Sequence, residues 1–246
     1  MTTAPASNAD YDWSEFDPES YVQHYYADPH PDDDEVVRRT AATLKGMTPG
    51  GQALDVGTGP NLFPLLAALP RASQMTAFEY SQANVDWLKT ELQLAKLREP
   101  WPHFWDEVRK GYAPETLEDD PTSALRLRAN VVQGSIFDLP KRRWDAATMF
   151  FCAESITEQQ EEFERACRAF AGAVRPGGVL AAAFLAGSKG YVVAETSFPA
   201  LSISEESLRA AFADVATDIV IAPIGVVEEE VRSGYSGMLF LTAKAK

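Results

Sequence analysis

Cysteine is scarce in this 246-residue chain, which has only Cys152 and Cys167. Neither has a CxxC neighbour, which argues against a zinc site or a disulfide framework and leaves both thiols free. Basic charge is also short: 22 Lys and Arg stand against 36 Asp and Glu, for a net −14. A polyanion is repelled by such a chain unless its cations gather in one patch. The tightest basic group, Lys141-Arg142-Arg143, is too small, so a nucleic-acid partner is not expected. No apolar run approaches the ~20 residues that cross a bilayer. The first ten residues have neither a basic nor an apolar targeting region, so the expectation is a cytoplasmic protein without a membrane partner. No metal-ligating cluster and no internal repeat stands out. What is present is a 46% hydrophobic content, enough for one large α/β domain.

Organisation follows from turn residues and apolar periodicity. Residues 1–10 are small and polar and read as a mobile tail. Residues 11–246 read as one domain, with lid helices over 11–47. The lid begins with Tyr11, Trp13, Phe16, Tyr21, Tyr25 and Tyr26, then restarts at Asp32-Asp33-Asp34-Glu35, an acidic helix start. Strands are expected at 52–56, 74–79, 130–133, 146–151 and 179–185, with helices at 61–69, 82–97, 159–174 and 204–215 between or after them. Ser204 reads as a cap, with Ser207 short of a full capping box. Two last strands near 218–227 and 238–243 are too close for a parallel crossover and imply an antiparallel hairpin. Pro100, Pro102, Pro114 and Pro121 break the rhythm, so 98–128 reads as an insertion with one helix over 103–110. Strand–helix alternation makes this an α/β fold, a Rossmann-like, doubly wound and mostly parallel sheet.

The first strand runs into Leu54-Asp55-Val56-Gly57-Thr58-Gly59-Pro60 and then a helix. Glycines belong where backbone turns sharply and approaches a ligand without a Cβ. Glu79 closes the next strand, 24 residues after Asp55, where a βαβ unit brings its carboxylate to ribose hydroxyls in the same crevice. The position where a dinucleotide fingerprint has its third small residue is Leu62. Pro60 removes an amide that would cradle pyrophosphate. A nucleoside cofactor without phosphates, S-adenosylmethionine (SAM), fits better than NAD, with Asp55 facing its methionine part.

These residues, with Phe63, Glu79-Tyr80-Ser81, Asn84 and Arg175-Pro176-Gly177-Gly178, resemble class I SAM methyltransferases. The opening Phe16-Asp17-Pro18-Glu19-Ser20-Tyr21-Val22-Gln23-His24-Tyr25-Tyr26 is similar to the F-x-P-x-x-Y-x-x-x-Y-Y opening of nicotinamide, phenylethanolamine and thioether/indolethylamine N-methyltransferases. The resemblance implies that Tyr21 and Tyr26 cover the cofactor carboxylate, and that Gly57, Thr58 and Gly59 follow its methionyl and ribose parts with Phe63 packed nearby. It implies further that Glu79 holds the ribose beside Tyr80, Ser81 and Asn84. Ser135, where the family has an acid, and Ile136 would flank adenine, and Phe151 would stand beside the methyl donor.

Methyl transfer from a sulfonium needs alignment and exclusion of water more than a strong catalytic group. Aromatic lid residues suit a small aromatic or heteroaromatic acceptor. The family acid that holds an amine falls on Phe184, which turns the expectation toward a ring carbon of an indole-like acceptor, as in related bacterial indole C3-methyltransferases of secondary metabolism. N-methylation of a simple amine or a nicotinamide-like ring is the alternative. Tyr25, Tyr191 and Tyr235 would line the acceptor site with Phe184. A ring carbon needs a base for the ring N–H: His24, Tyr25 and Glu154 are the candidates, with Asp28 and His30 behind them. A SAM-binding regulator without catalysis is the reading from another class, and the exposed aromatic arm allows a homodimer.

Overall fold

Residues of alternate parity along each strand enter two separate cores, one on each face of a single sheet. The computed structural model describes residues 5–225 and 234–246. Among them the strands are β1 (Gly51–Val56), β2 (Ala72–Glu79), β3 (Ala129–Gln133), β4 (Trp144–Phe150), β5 (Val174–Leu185), β6 (Tyr191–Val193), β7 (Thr196–Phe198), β8 (Ala216–Ile224) and β9 (Met238–Ala245). The helices are α1 (Pro18–Tyr25), α2 (Pro31–Leu44), α3 (Phe63–Ala68), α4 (Gln82–Glu91), α5 (Trp101–Arg109), α6 (Pro121–Arg128), α7 (Gln160–Ala173) and α8 (Glu205–Phe212).

The main sheet has the order β3-β2-β1-β4-β5-β9-β8. β1 to β5 are parallel, and β9 is antiparallel to both β5 and β8. This is the doubly wound sheet with a C-terminal hairpin that the alternation predicts. The chain reverses its direction of travel across the sheet between β1 and β4, so a crevice opens beyond their C-terminal ends.

Ala181, Ala183 and Leu185 of β5 join Ala53, Met75 and Phe240 in a core under α2, α3 and α5. Leu180, Ala182 and Phe184 face the other way, with Leu54, Met149 and Leu241, under α7 and α8. Phe184 is fully buried and meets Phe163 and Phe212 edge-on, with centroids at 6.2 and 6.4 Å. This corrects its assignment to the acceptor site.

The stretch 98–128 is a structural part of the domain. α4 stops at Glu91, short of the expected 97, because the Glu91 carboxylate accepts from Arg98 Nε at 2.7 Å and from Trp101 Nε1 at 3.0 Å, which turns the chain back. α5 then buries Trp101, Phe104, Trp105 and Val108, and α6 buries Ala124 and Leu125. α3 starts at Phe63 because the Asn61 side chain accepts from Phe63 N at 2.9 Å, and Pro64 fits only a first turn. Ser207 does complete the α8 capping box, accepting from Ser204 N at 2.9 Å. The expected strand end at Val226 and Val227 and the tail residues 1–4 lie outside the described residues. Residues 5–10, expected mobile, are docked: Ala6 N donates to Glu158 Oε2 at 2.9 Å and Asn8 N to Glu162 Oε2 at 2.8 Å. The β6–β7 hairpin was not foreseen, since its turn at Ala194-Glu195 has no Gly or Asn, although Ala194 takes φ +52°.

Candidate active site

β1 ends in a loop whose glycines meet the need foreseen for them. Gly57 (φ +63°) and Gly59 (φ +58°) are left-handed, and a Cβ on Gly57 would collide with Cys152 Sγ. Glu79, at the end of β2, braces this loop. Its Oε2 accepts from Gly59 N at 2.8 Å, and its Oε1 from Ser81 N at 2.8 Å and Asn84 Nδ2 at 3.5 Å. Burial pushes its carboxyl up, and these donors offset only part of that rise. Oε2, with one donor, keeps capacity for another, and Oε1 gains it where a ligand displaces the long Asn84 contact.

Above the loop lies a cavity enclosing about 850 Å³ free of atoms, part of it continuous with solvent. Its wall brings together most of the residues singled out in sequence: Gly57, Thr58 and Gly59 from the loop; Glu79, Tyr80, Ser81 and Asn84 after β2; Ser135 and Ile136 after β3; Phe151 after β4; and Tyr21, Tyr26 and Tyr191 from the cover. Ser135 accepts from Phe137 N at 3.2 Å and caps a single helical turn. Phe151 takes φ +52°, rare for a bulky residue, held by its N–H donating to Ala183 O at 2.8 Å.

Other residues fall elsewhere. Asp55 is buried beneath the loop, off the wall, where its Oδ1 accepts from Thr148 Oγ1 at 2.6 Å, so it does not face a ligand as expected. Phe63 is core, behind Tyr26 and Phe150. Glu154 is fully buried off the wall, and its Oε1 accepts from Leu185 N at 2.9 Å, fixing the end of β5. His24 and Tyr25 line an outer groove that shares Tyr21 and Tyr191 with the cavity. Their rings meet edge-on at 4.5 Å, and His24 is exposed. Tyr235 packs on the α2-side core and lies outside the cavity wall. These placements correct the assignment of His24, Tyr25 and Glu154 as bases in the cavity.

Reasoning from sequence missed several wall residues. Asn61 holds the cover to the loop, donating from Nδ2 to Tyr26 Oη at 3.1 Å. Asn8, Trp13 and Phe16 also line the cavity, because residues 5–16 cross it as a strap. Ser81 Oγ donates to Trp13 O at 2.8 Å, and Trp13 stacks on Phe198 of the β6–β7 hairpin at 5.2 Å. Phe16 lies 5.3 Å from Tyr21 and 5.2 Å from Phe198, which closes an aromatic cover. The only signal for the strap was its run of aromatics.

Among the described residues the wall carries one carboxylate, Glu79, and no Lys, Arg or His. Two phosphates of a dinucleotide would find no counter-charge there and a like charge beside them. A ribose with a sulfonium fits, since Glu79 accepts from hydroxyls and the aromatic faces favour a cation. The Cys152 thiol on the wall is pushed well up by burial and nearby carboxylates, so it is neutral.

Burial also pushes the Asp55 carboxyl up to about 7, against the lowering effect of the Thr148 and Thr58 hydrogen bonds. A carboxyl raised in the folded state binds more protons folded than unfolded. Its stabilisation is therefore complete below the unfolded value and is lost as pH rises through about 7. Asp33, also raised to about 7, acts in the same direction. The ligand-free protein should resist urea better at about pH 6 than at about pH 8, and Asp55→Asn should narrow the difference. A midpoint that rises with pH over this interval contradicts the assignment.

The NNMT/PNMT/TEMT family model matches residues 5–246. Phenylethanolamine N-methyltransferase of Bos taurus is 24% identical over 261 residues, covering 95% of this chain and 90% of that one. Nicotinamide N-methyltransferase of Homo sapiens is 24% identical over 213 residues, covering 80% of each. Magnesium protoporphyrin IX methyltransferase of Synechocystis PCC 6803, solved with SAM, shares the fold at a TM-score of 0.62 and 13% identity, over 98% of this chain and 99% of that one. An N-methyltransferase of Bradyrhizobium japonicum WM9, solved with S-adenosylhomocysteine, reaches 0.53 at 10% identity over 89% of each. With this fold and this cavity, the chain is a SAM-dependent methyltransferase and belongs to the NNMT/PNMT/TEMT family.

Proposed function

We propose that the protein transfers a methyl group to the nitrogen of a small amine or nitrogen heterocycle. The observation that carries this reading is the absence of a base on the cavity wall among the described residues: no His or Lys, and no carboxylate except the one that braces the glycine loop. A ring carbon needs a proton acceptor as its aromatic system is broken. A neutral nitrogen attacks with its own lone pair, an aliphatic ammonium having first given its proton to solvent. The relatives are named for nitrogen acceptors, phenylethanolamine and nicotinamide. They favour nitrogen over the indole ring carbon that Phe184 first suggested.

SAM supplies an activated methyl on sulfur, displaced in line. The residues then have three tasks. Glu79 accepts from the ribose hydroxyls, with Gly57 and Gly59 giving backbone approach and Ser135 and Ile136 flanking adenine. Tyr21, Tyr26 and Phe151 surround the sulfonium end, where aromatic faces favour positive charge. Trp13, Phe16, Tyr191 and Phe198 close the cover and exclude water. The acceptor comes from the outer groove, past Tyr21 and Tyr191, which both spaces share.

Incubation with methyl-labelled SAM and, separately, phenylethanolamine, indolethylamine, nicotinamide and indole tests the reading. Label is expected in at least one of the first three. Label in indole alone contradicts it.

A further inference from the structure

The cover of the cavity is an arc of rings. Tyr26, Tyr21, Phe16, Phe198 and Tyr191 follow one another with centroids 6.0, 5.3, 5.2 and 5.5 Å apart. Short-range geometry sets part of this, since Tyr191 and Phe198 are register partners across the β6–β7 hairpin. Packing sets the rest, and Phe16, Tyr26 and Phe198 are buried in it. All but Phe198 line the cavity. Tyr21, Tyr191 and Phe198 also line the outer groove, so the arc reaches from the cavity to the mouth where the acceptor enters.

The side chains of the arc carry no formal charge, and the carboxylates near it have other partners. Glu79 is tied at the loop end by Gly59 N and Ser81 N. In the groove, Glu19 accepts from Trp87 Nε1 at 2.9 Å and from Arg98 Nη2 at 2.7 Å, and Glu158 from Ala6 N at 2.9 Å. Lys189 and His24 are exposed in the groove and lie off the cavity wall.

This composition decides which nitrogens the site can tell apart. A site that binds an amine through a buried carboxylate rejects the analogue whose N–H has become N–CH3, because its own polar group is left unpaired. Ring faces make no such distinction. They attract a cationic nitrogen whether hydrogens or methyl groups cover it, and attract it more strongly when desolvated.

We propose that the enzyme methylates one aliphatic nitrogen repeatedly, accepting a tertiary amine and releasing a quaternary ammonium. This rests on the nitrogen-acceptor reading above and extends it to aliphatic acceptors with no N–H. In the last step the lone pair of the neutral tertiary amine forms the new N–CH3 bond as the S–CH3 bond breaks. The electron pair of that bond stays on sulfur, and the positive charge passes from sulfur to nitrogen. No proton is released, so a wall without a base among the described residues suffices. In the earlier steps each new ammonium gives its proton to solvent between turnovers.

The test is incubation of methyl-labelled SAM with phenylethanolamine and with 2-phenylethylamine, each as the primary, N-methyl and N,N-dimethyl amine, and with nicotinamide alongside. Label is expected at all three stages of at least one series. After strong alkali the labelled product of the tertiary amine should stay in water, while the other amines extract into solvent. Calorimetric titration of 2-phenylethyltrimethylammonium into the complex with S-adenosylhomocysteine tests the rings themselves. Tyr21→Leu should weaken it by about tenfold, and Tyr21→Phe, which keeps the ring face, should hold wild-type affinity. Label in primary and secondary amines but in no tertiary one, or in nicotinamide alone, overturns the inference and leaves N-methylation intact. Equal affinity of Tyr21→Leu and wild type overturns the role of the arc. Label on no nitrogen of the whole set overturns N-methylation itself.

Discussion

Replacing Glu79 with alanine is expected to raise the dissociation constant for SAM by about 100-fold or more, the loss of two hydrogen bonds to a charged acceptor at roughly 1.5–3 kcal/mol each. The carboxylate serves two partners at once. Gly59 N at 2.8 Å and Ser81 N at 2.8 Å bind it from the protein side, and the ribose hydroxyls take its remaining lone pairs. Alanine therefore removes ligand contacts and also frees the Gly59 amide, loosening the loop. Glu79→Gln separates the two contributions. An amide oxygen still accepts from Gly59 N, but the NH2 group cannot accept, so an intermediate loss is expected. The stabilisation that SAM gives on heating should nearly vanish in Glu79→Ala. An affinity within about threefold of wild type contradicts the role assigned to it, because even one charged hydrogen bond exceeds that.

Trp101→Ala should lower stability by about 3–5 kcal/mol, the range for truncating a large buried aromatic. The ring is fully buried, with Tyr26 at 6.0 Å, Phe104 at 5.9 Å and Trp87 at 6.1 Å. Its indole N–H donates to Glu91 Oε1, and after truncation Arg98 Nε alone holds that carboxylate. A loss of about 4 kcal/mol corresponds to a fall of about 8–16 °C in Tm for a domain of this size. Tyr26 lines the cavity and packs on Trp101, so SAM affinity should fall as well. A Tm change below about 2 °C would mean that 98–128 is peripheral.

The regular parts of the molecule were legible because they obey short-range rules. Leu54 to Pro60 could be read as strand, turn and helix approach from residue types alone, and Glu79 lay where a βαβ unit puts an acid. Leu62 and Pro60 pointed away from phosphates, and the wall, which carries no cation among the described residues, agrees with them. What failed depended on contacts distant in sequence. Trp101 looked like loop because prolines surround it, and only Glu91 and Arg98 reveal the turn that buries it. Residues 5–10 have no apolar pattern, and their order comes from Glu158 and Glu162 more than 150 positions away. Phe184 was misplaced because strand parity, which sends it to the α7–α8 side, cannot be set by motif position alone. Glu154 and Asp55 have the chemistry of site residues, but their carboxylates hold Leu185 N and the Thr148 hydroxyl inside the fold.

The account stands most directly on where the methyl group goes. The enzyme, SAM carrying a carbon-13 methyl and indolethylamine, which offers both an amine and an indole ring carbon, should give a product whose labelled carbon shows the NMR shift of a methyl on nitrogen. A labelled methyl on the indole ring carbon, with none on nitrogen, would contradict it.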